Sequence, residues 1–249
     1  MRIFDPSSAA NYSRVRPTYP AELYYWLSKQ VTHTDRVWDC ACGTGQASID
    51  LAAYFNHVDA SDISEAQIAR ATPHRHVNYS VQPAEQTNYP DNYFDAVCVA
   101  HALHWFDLEG FWQEVKRVLK PNGKVFIWGY NWVEFDHSIG SVVKESILPV
   151  LQPYWPEQTS LLRCQYQSIE FPFAQIETPS FELKCHWTMS QAFAFMRSWS
   201  AAQIMVEKHG DEQLKQAEIA VEQAWHAPQE KVEARLPFFV YAGHFEGAY

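Results

Sequence analysis

Short apolar runs and amphipathic segments alternate through the first half of the chain. The apolar runs, predicted to form β-strands, are residues 36–41, 57–61, 77–81, 94–100 and 124–130. The segments with apolar side chains at helical spacing are residues 47–55, 64–71 and 108–119. Because a helix between two strands returns the chain along one face of the sheet, this alternation predicts a parallel, doubly wound α/β sheet.

The pattern changes after Tyr130. Four later segments are predicted as helices, namely residues 141–150, 157–167, 190–199 and 211–224. Two others are predicted as strands, namely residues 181–186 and 236–245. The side chains predicted to cap helices are those of Ser64, Ser190 and Asp211. Residues 121–123, with the sequence Pro-Asn-Gly, predict a turn that ends the helix over 108–119.

The composition is that of a folded protein. Of the 249 residues, 47% are hydrophobic and 15% aromatic, which supplies a large core and excludes a disordered chain. No apolar stretch approaches the roughly 20 residues of a membrane span, and the first residues lack the apolar region of a signal peptide. The 29 acidic and 19 basic residues give a net charge of −10, which disfavours a nucleic-acid partner.

The cysteines and histidines predict a reduced protein without a metal site. The five cysteines are an odd number and none forms a Cys-x-x-Cys pair, which argues against a disulfide framework or a zinc site. None of the 11 histidines is separated from another by three residues, the spacing of a helical zinc motif. We expect a soluble, cytoplasmic monomer or homodimer that binds no membrane.

Four predicted loops share one edge of the sheet, because open parallel sheets bind ligands at the carboxyl ends of their strands. The first loop, residues 39–45, is rich in small residues that let a ligand approach the backbone closely. Asp62 follows the second strand, where a carboxylate can accept both hydroxyl protons of a ribose. Residues 82–85 follow the third strand, where an adenine edge can be read, and residues 100–105 follow the fourth.

Two nucleotide cofactors fit this order of loops. A dinucleotide fingerprint needs a third glycine that allows tight helix packing, but Gly43 and Gly45 are followed by Ser48. Asp39 lies near the position of a pyrophosphate, and its negative charge suits a cationic amine or sulfonium better. The residues therefore favour S-adenosylmethionine, with an NAD-dependent oxidoreductase on the same topology as the alternative.

Five motifs in this order resemble those of the class I S-adenosylmethionine-dependent methyltransferases, type 11 subgroup, namely VWDCACGTG, ASDIS, QPAEQTNYPDNYFDAV, HALHWFD and VLKPNGKV. The segments NYSRVRPTYP and MRSWSA are similar to a narrower group that includes the trans-aconitate methyltransferase-like proteins. The resemblance covers about residues 4–130 well. It implies a Rossmann-like sheet of seven mostly parallel strands, with an antiparallel last strand and a helical lid.

The resemblance also implies one methyltransferase domain over residues 1–249. Its cofactor-binding core spans residues 36–130, its lid and substrate-facing insertions residues 131–235, and its closing strand residues 236–249. The cofactor-binding residues that it implies are Tyr12, Arg16, Asp39, Ala41, Gly43, Gly45, Asp62, Ile63, Ala84, Glu85, Ala100 and His101. Two positions depart from the family. Ala41 replaces the first glycine of the turn, which requires a negative φ, and Pro83 replaces an aspartate of many relatives.

The expected reaction is methyl transfer to a small molecule, which depends mainly on alignment of the acceptor with the S–CH₃ bond. A carboxylate oxygen, the acceptor that the resemblance favours, needs no base, whereas a phenol or amine requires a proton acceptor such as His101 or His104. The candidate substrate contacts are Arg14, Trp105 and Arg197, with a surface charge, aromatic packing and a salt bridge as their respective alternatives. A non-catalytic cofactor-binding module is the remaining alternative.

Overall fold

The computed structural model describes residues 16–246, which form two compact units. The sheet unit contains residues 18–130, 164–181 and 238–246, and the helical unit contains residues 16–17, 131–163 and 182–237. The first segment of the sheet unit ends at Tyr130, the last residue of the predicted cofactor-binding core. Residues 164–181 lie within the predicted lid and are part of the sheet unit.

Over residues 16–246, nine strands form two sheets. They are β1 (Arg36–Cys40), β2 (His57–Asp62), β3 (Val77–Val81), β4 (Phe94–Ala100), β5 (Leu119–Tyr130), β6 (Ala174–Gln175), β7 (Leu183–Trp187), β8 (Val232–Leu236) and β9 (Phe238–His244). The larger sheet has the order β3-β2-β1-β4-β5-β9-β6. Neighbours from β3 to β5 are parallel, and β9 is antiparallel to both β5 and β6. The predicted seven-stranded, mostly parallel sheet with an antiparallel last strand is confirmed.

Ten α-helices accompany the strands within the described residues. They are α1 (Ala21–Gln30), α2 (Gln46–Leu51), α3 (Glu65–Ile68), α4 (Leu108–Val118), α5 (His137–Val142), α6 (Leu148–Leu151), α7 (Thr159–Arg163), α8 (Met189–Arg197), α9 (Ser200–His209) and α10 (Glu212–Ala224). The sequence analysis does not predict α1, although its buried residues Leu23, Tyr24 and Leu27 have helical spacing. None of these helices combines the length and the apolar character that a membrane crossing requires.

The core of the sheet unit explains the apolar runs. Six of the seven residues of β4 are buried, as expected for a central strand that is covered on both faces. Leu27 of α1 and Leu51 of α2 pack in one cluster with Val37 of β1 and Phe126 of β5. Full burial of such a side chain contributes about 1.5–3 kcal/mol, so this cluster holds β1 and its following loop in a fixed position.

Three local predictions differ from the structure. The Pro-Asn-Gly segment lies within β5, where Asn122 has a left-handed φ of +67° and the pairing with β4 changes register after Phe94. The predicted helix over 157–167 shortens to α7, because Gln165 and Tyr166 also have left-handed backbones. The helix over 141–150 begins earlier, at α5, and passes through a π-helical segment (Val143–Ile147) before α6.

Two of the three predicted helix caps also differ. Ser64 accepts a backbone N–H of α3 and is confirmed as a cap. Ser190 is not a cap, because Thr188 accepts the backbone N–H that begins α8. Asp211 precedes α10, but its carboxylate accepts a hydrogen bond from Arg197 and makes none to the helix backbone. An opposite charge within reach thus displaces the local capping bond.

The helical unit contains its own packed aromatic cluster. β7 and β8 pair antiparallel, and β8 is a strand that the sequence analysis does not predict. The rings of Trp132, Trp155 and Trp199 contact one another, with centroids 4.5, 5.2 and 5.8 Å apart. The first two contacts are edge-on and the third is tilted, and such contacts between large apolar rings are typical of a core.

Candidate functional site

The loop after β1 turns sharply through three left-handed residues. Ala41, Gly43 and Gly45 have φ angles of +56°, +57° and +84°, and Gly45 directly precedes α2. The left-handed φ of Gly45 favours glycine, and a Cβ there would also lie 2.8 Å from the ring of Tyr79. None of the described residues lies within 4 Å of the position of a Cβ on Gly43, so among them the backbone at Gly43 borders open space. This backbone is therefore accessible to a ligand.

The φ of Ala41 is opposite to the sequence-based expectation. The sequence analysis expects alanine to replace the family's glycine at a negative φ, but the observed value is +56°. For an L-residue, the left-handed conformation brings Cβ close to the following carbonyl oxygen and costs roughly 1–2 kcal/mol. Ala41 keeps the glycine-like turn at the expense of backbone strain.

Replacement of Ala41 by glycine is expected to raise the free energy of unfolding by up to about 1 kcal/mol, because relief of strain outweighs the added flexibility of the unfolded chain. Urea denaturation measures this difference. Ala47→Gly is the matched control, since Ala47 is buried in α2 and should lose about 1 kcal/mol or more. A loss of stability in Ala41→Gly would show that the left-handed alanine carries no strain.

Asp39, the fourth residue of β1, is a buried carboxylate beneath this loop. Its side chain is fully buried, and its Oδ2 accepts a hydrogen bond of 2.5 Å from the Ser48 hydroxyl of α2. Among the described residues, none donates a hydrogen bond to its Oδ1. Burial raises the pKa of Asp39 to about 7, the Ser48 bond opposes this rise, and the charge of Asp62 adds to it. A cationic ligand would stabilise the ionised form.

Asp62 is the last residue of β2 and is hydrogen-bonded to the loop after β1. Its Oδ2 accepts the backbone N–H of Gly43 at 2.9 Å, and its Oδ1 accepts that of Ser64 at 2.8 Å. Burial raises the pKa of the Asp62 carboxyl, and the N–H groups of Ser64 and Gly43 oppose this rise. Each carboxylate oxygen can accept further hydrogen bonds, so Asp62 is a fixed acceptor for two donors such as vicinal hydroxyls.

Exposed apolar side chains flank Asp62. Ile63, which directly follows Asp62, is 73% exposed. Val81, the register partner of Asp62 on β3, is 49% exposed. Large exposed aliphatic side chains at a ligand-binding edge mark an apolar contact surface. The two side chains can accommodate a flat apolar group beside the Asp62 carboxylate.

The loop after β3 carries the predicted adenine contacts. Ala84 and Glu85 are half-buried, and Glu85 Oε1 accepts the backbone N–H of Asp107 at 3.0 Å. Pro83, at the position where many relatives have aspartate, is exposed and has no N–H to donate. Glu85 therefore has one oxygen bound to the start of α4, and polar recognition here depends on its other oxygen and on backbone groups.

Two histidines follow β4 and face different partners. His101 has a left-handed φ of +58°, stacks on Tyr130 with centroids 4.1 Å apart, and accepts the Tyr130 backbone N–H at Nδ1. His104 is 4% exposed, and its Nδ1 lies 2.8 Å from the Tyr166 hydroxyl. The sequence analysis missed Tyr166, which is 62 residues away and reaches His104 through its left-handed backbone. No local signal marks that contact.

The remaining predicted residues have different positions. Trp105 packs beside the ring of His104 at 4.7 Å, which matches the aromatic packing left open as its alternative role. Arg16 belongs to the helical unit, with its guanidinium 5.7 Å from the Phe195 ring centroid. Tyr12 and Arg14 lie outside the described residues. Over residues 16–246, no group of three or more His, Cys, Asp or Glu side chains is arranged to hold a metal ion.

Arg197 is occupied by carboxylates of its own unit. Its Nε and Nη2 donate to the two oxygens of Glu218 at 2.6 Å each, and its Nη1 donates to Asp211 at 2.7 Å. A guanidinium held by two carboxylates in this way is neutralised by its partners. This geometry is the salt bridge that the sequence analysis left as the alternative to a substrate contact.

Comparisons with known proteins agree with this geometry. A family model described as a methyltransferase domain, Methyltransf_11, matches residues 38–127. A solved structure of an Anaeromyxobacter dehalogenans protein, described as a type II methyltransferase, is 33% identical with a TM-score of 0.85. It is similar over 94% of this chain and 99% of its own.

Two curated relatives are also described as methyltransferases. The one from Dictyostelium discoideum is 29% identical over 78% of this chain and 75% of its own length. The one from Saccharomyces cerevisiae, described as S-adenosylmethionine-dependent, is 27% identical over 77% of this chain and 78% of its own length. These findings favour S-adenosylmethionine over NAD and an enzyme over a non-catalytic module. The chain belongs to the class I S-adenosylmethionine-dependent methyltransferases.

Proposed function

We propose that this methyltransferase acts on a small-molecule acceptor and that its acceptor atom is a carboxylate oxygen. The observation that carries the cofactor half of the proposal is the fixed position of Asp62. Its carboxylate is held by the N–H groups of Gly43 and Ser64 and is flanked by the exposed side chains of Ile63 and Val81. A carboxylate that accepts hydrogen bonds beside an apolar surface suits adenosine, because adenosine carries ribose hydroxyls next to a flat base.

The residues present at this edge fit S-adenosylmethionine. Asp39 is a buried carboxylate with one oxygen that no described residue satisfies, and the backbone at Gly43 borders open space. We assign the ribose to Asp62, the adenine to Ile63, Ala84 and Glu85, and the methionine part to the remaining residues: Asp39, Ala41, Gly43, Gly45, Ala100 and His101. When bound, S-adenosylmethionine supplies a methyl group on a positively charged sulfur, which is already a strong electrophile.

The histidines support an acceptor that needs no proton removal. His104 is buried and bonded to Tyr166, while His101 accepts the Tyr130 N–H at Nδ1. The Nδ1 of each histidine thus faces a protein partner, so neither Nδ1 is positioned to take a proton from a bound methyl acceptor. A carboxylate is nucleophilic as it stands, so orientation by the protein suffices, and orientation alone can supply effective molarities of roughly 10⁵–10⁸ M.

Calorimetry followed by a turnover assay tests the proposal. We expect the protein to bind S-adenosylhomocysteine and to show no heat with NAD. With S-adenosylmethionine present, a panel of small carboxylic acids, phenols and amines is then screened for release of S-adenosylhomocysteine. Turnover with acids supports the proposed acceptor. Turnover only with phenols or amines would overturn the carboxylate assignment, and binding of NAD alone would overturn the cofactor assignment.

A further inference from the structure

The loop between β3 and β4, residues 82–93, is fastened along its length to helix α4. We propose that Glu114 and Arg117 of α4 are positioning residues for the adenine side of the cofactor site. Neither residue is assigned a contact with the ligand. The proposal rests on the function proposed above. They hold the loop that carries Ala84 and Glu85 in the conformation that binds adenine.

Glu114 fixes the middle of the loop. Its carboxylate is 7% exposed, and its Oε1 accepts both the backbone N–H of Thr87 at 2.8 Å and the Thr87 hydroxyl at 2.5 Å. Burial alone would raise the pKa of Glu114, but hydrogen bonds from Arg117 and Thr87 outweigh burial and lower it. The carboxylate is therefore ionised at neutral pH and binds Thr87 through charge-assisted hydrogen bonds.

Arg117 fixes the end of the loop. Its Nε and Nη2 donate to the two oxygens of Glu114 at 2.9 and 2.7 Å, and its Nη1 donates at 2.7 Å to both the Tyr89 carbonyl and the Asp91 carboxylate. One planar group thus joins α4 to two separate points of the loop. A lysine has a single nitrogen and cannot reproduce this fork.

The start of the loop is fastened to the same helix. Glu85 accepts the N–H of Asp107, the residue that precedes α4. Gly110 lets the loop approach closely, since a Cβ there would lie 3.2 Å from the Glu85 Cβ. Within the loop, the Gln82 side chain accepts the Asn88 N–H at 2.7 Å. Both ends of α4 therefore define the shape of the segment around Ala84.

Arg117→Lys tests the proposal, with Arg197→Lys as the matched control. Arg197 is also about one-third exposed and also donates as a fork to the two oxygens of a buried carboxylate, Glu218, but it lies in the helical unit. Calorimetry measures binding of S-adenosylhomocysteine and of adenosine, and amide hydrogen exchange measures protection of residues 82–93. If the binding-competent loop falls to about a tenth of the population, both dissociation constants rise roughly tenfold.

The expected result is a roughly tenfold weaker affinity for both ligands in Arg117→Lys, together with faster exchange over residues 82–93. Arg197→Lys should lose thermal stability to a similar extent and keep both affinities. Wild-type affinity in Arg117→Lys, or equal losses in the two variants, would overturn the proposal. If the unaltered chain binds neither ligand, the proposed function is wrong, and the positioning role is excluded with it.

Discussion

Replacement of Asp62 by alanine is expected to abolish measurable binding of S-adenosylhomocysteine. The change removes the carboxylate that accepts the N–H groups of both Gly43 and Ser64, and with it the acceptor assigned to the ribose hydroxyls. A hydrogen bond to a charged group contributes about 1.5–3 kcal/mol. The loss of the two bonds from the ribose hydroxyls therefore lowers affinity by at least about 100-fold. Calorimetric titration of both proteins at equal concentration measures the difference.

Ser64→Ala separates loss of the carboxylate from disturbance of helix α3. The Ser64 hydroxyl caps α3 by accepting the Gln67 N–H, and removal of such a cap costs about 1 kcal/mol of stability. This variant keeps the Asp62 carboxylate and the Ser64 backbone N–H, so its affinity should remain close to that of the wild type. Unchanged affinity in Asp62→Ala would remove the main support for the proposed cofactor site.

The parallel core could be predicted from the sequence because its signals are local. A run such as residues 94–100 is apolar at nearly every position, which only a strand covered on both faces requires. The order of the loops then places Asp39, Asp62 and Glu85 near one edge without any knowledge of side-chain contacts. For the same reason the bounds of β3 and β4 agree with prediction to the residue.

The side-chain contacts around the candidate site could not be predicted, because they depend on residues that are distant in the sequence. Tyr166 reaches His104 across 62 residues, and Glu114 meets Thr87 across 27. Arg197, a candidate substrate contact, lies beside Glu218 and Asp211, which are 21 and 14 residues away along the chain. The left-handed Ala41 is a conflict between local preference and the required turn, and such conflicts occur at functional sites.

Replacement of Asp39 by asparagine is expected to stabilise the ligand-free protein. Asp39 is fully buried, and burial raises its pKa to about 7, whereas an unfolded aspartate has a pKa of about 3.9. The folded protein therefore holds a proton that the unfolded chain releases. Asparagine resembles the protonated carboxyl, because its amide can donate to the Ser48 hydroxyl and no charge is buried.

The pH dependence of this gain follows from the raised pKa. Below about pH 4 the Asp39 carboxyl is protonated in both states, and the two proteins should be similarly stable. As the pH rises toward 7, wild-type stability falls by about 1.4 kcal/mol per pH unit, so Asp39→Asn should be more stable by about 4 kcal/mol above pH 7. Urea denaturation at pH 4, 6 and 8 measures the difference.

Asp59→Asn is the control for this substitution, because Asp59 is also buried in a strand but is paired with Arg36. Removal of a carboxylate that has a partner leaves the arginine uncompensated, so this variant should lose stability at pH 8.

The gain in Asp39→Asn should be accompanied by an affinity for S-adenosylhomocysteine roughly tenfold weaker at pH 8, since the assigned partner of the cationic amine is gone. A stability difference that does not change between pH 4 and pH 8 would show that Asp39 is ionised in the ligand-free fold. Opposite changes in stability and affinity would instead show that the buried carboxylate is retained for its ligand, at a cost to the fold.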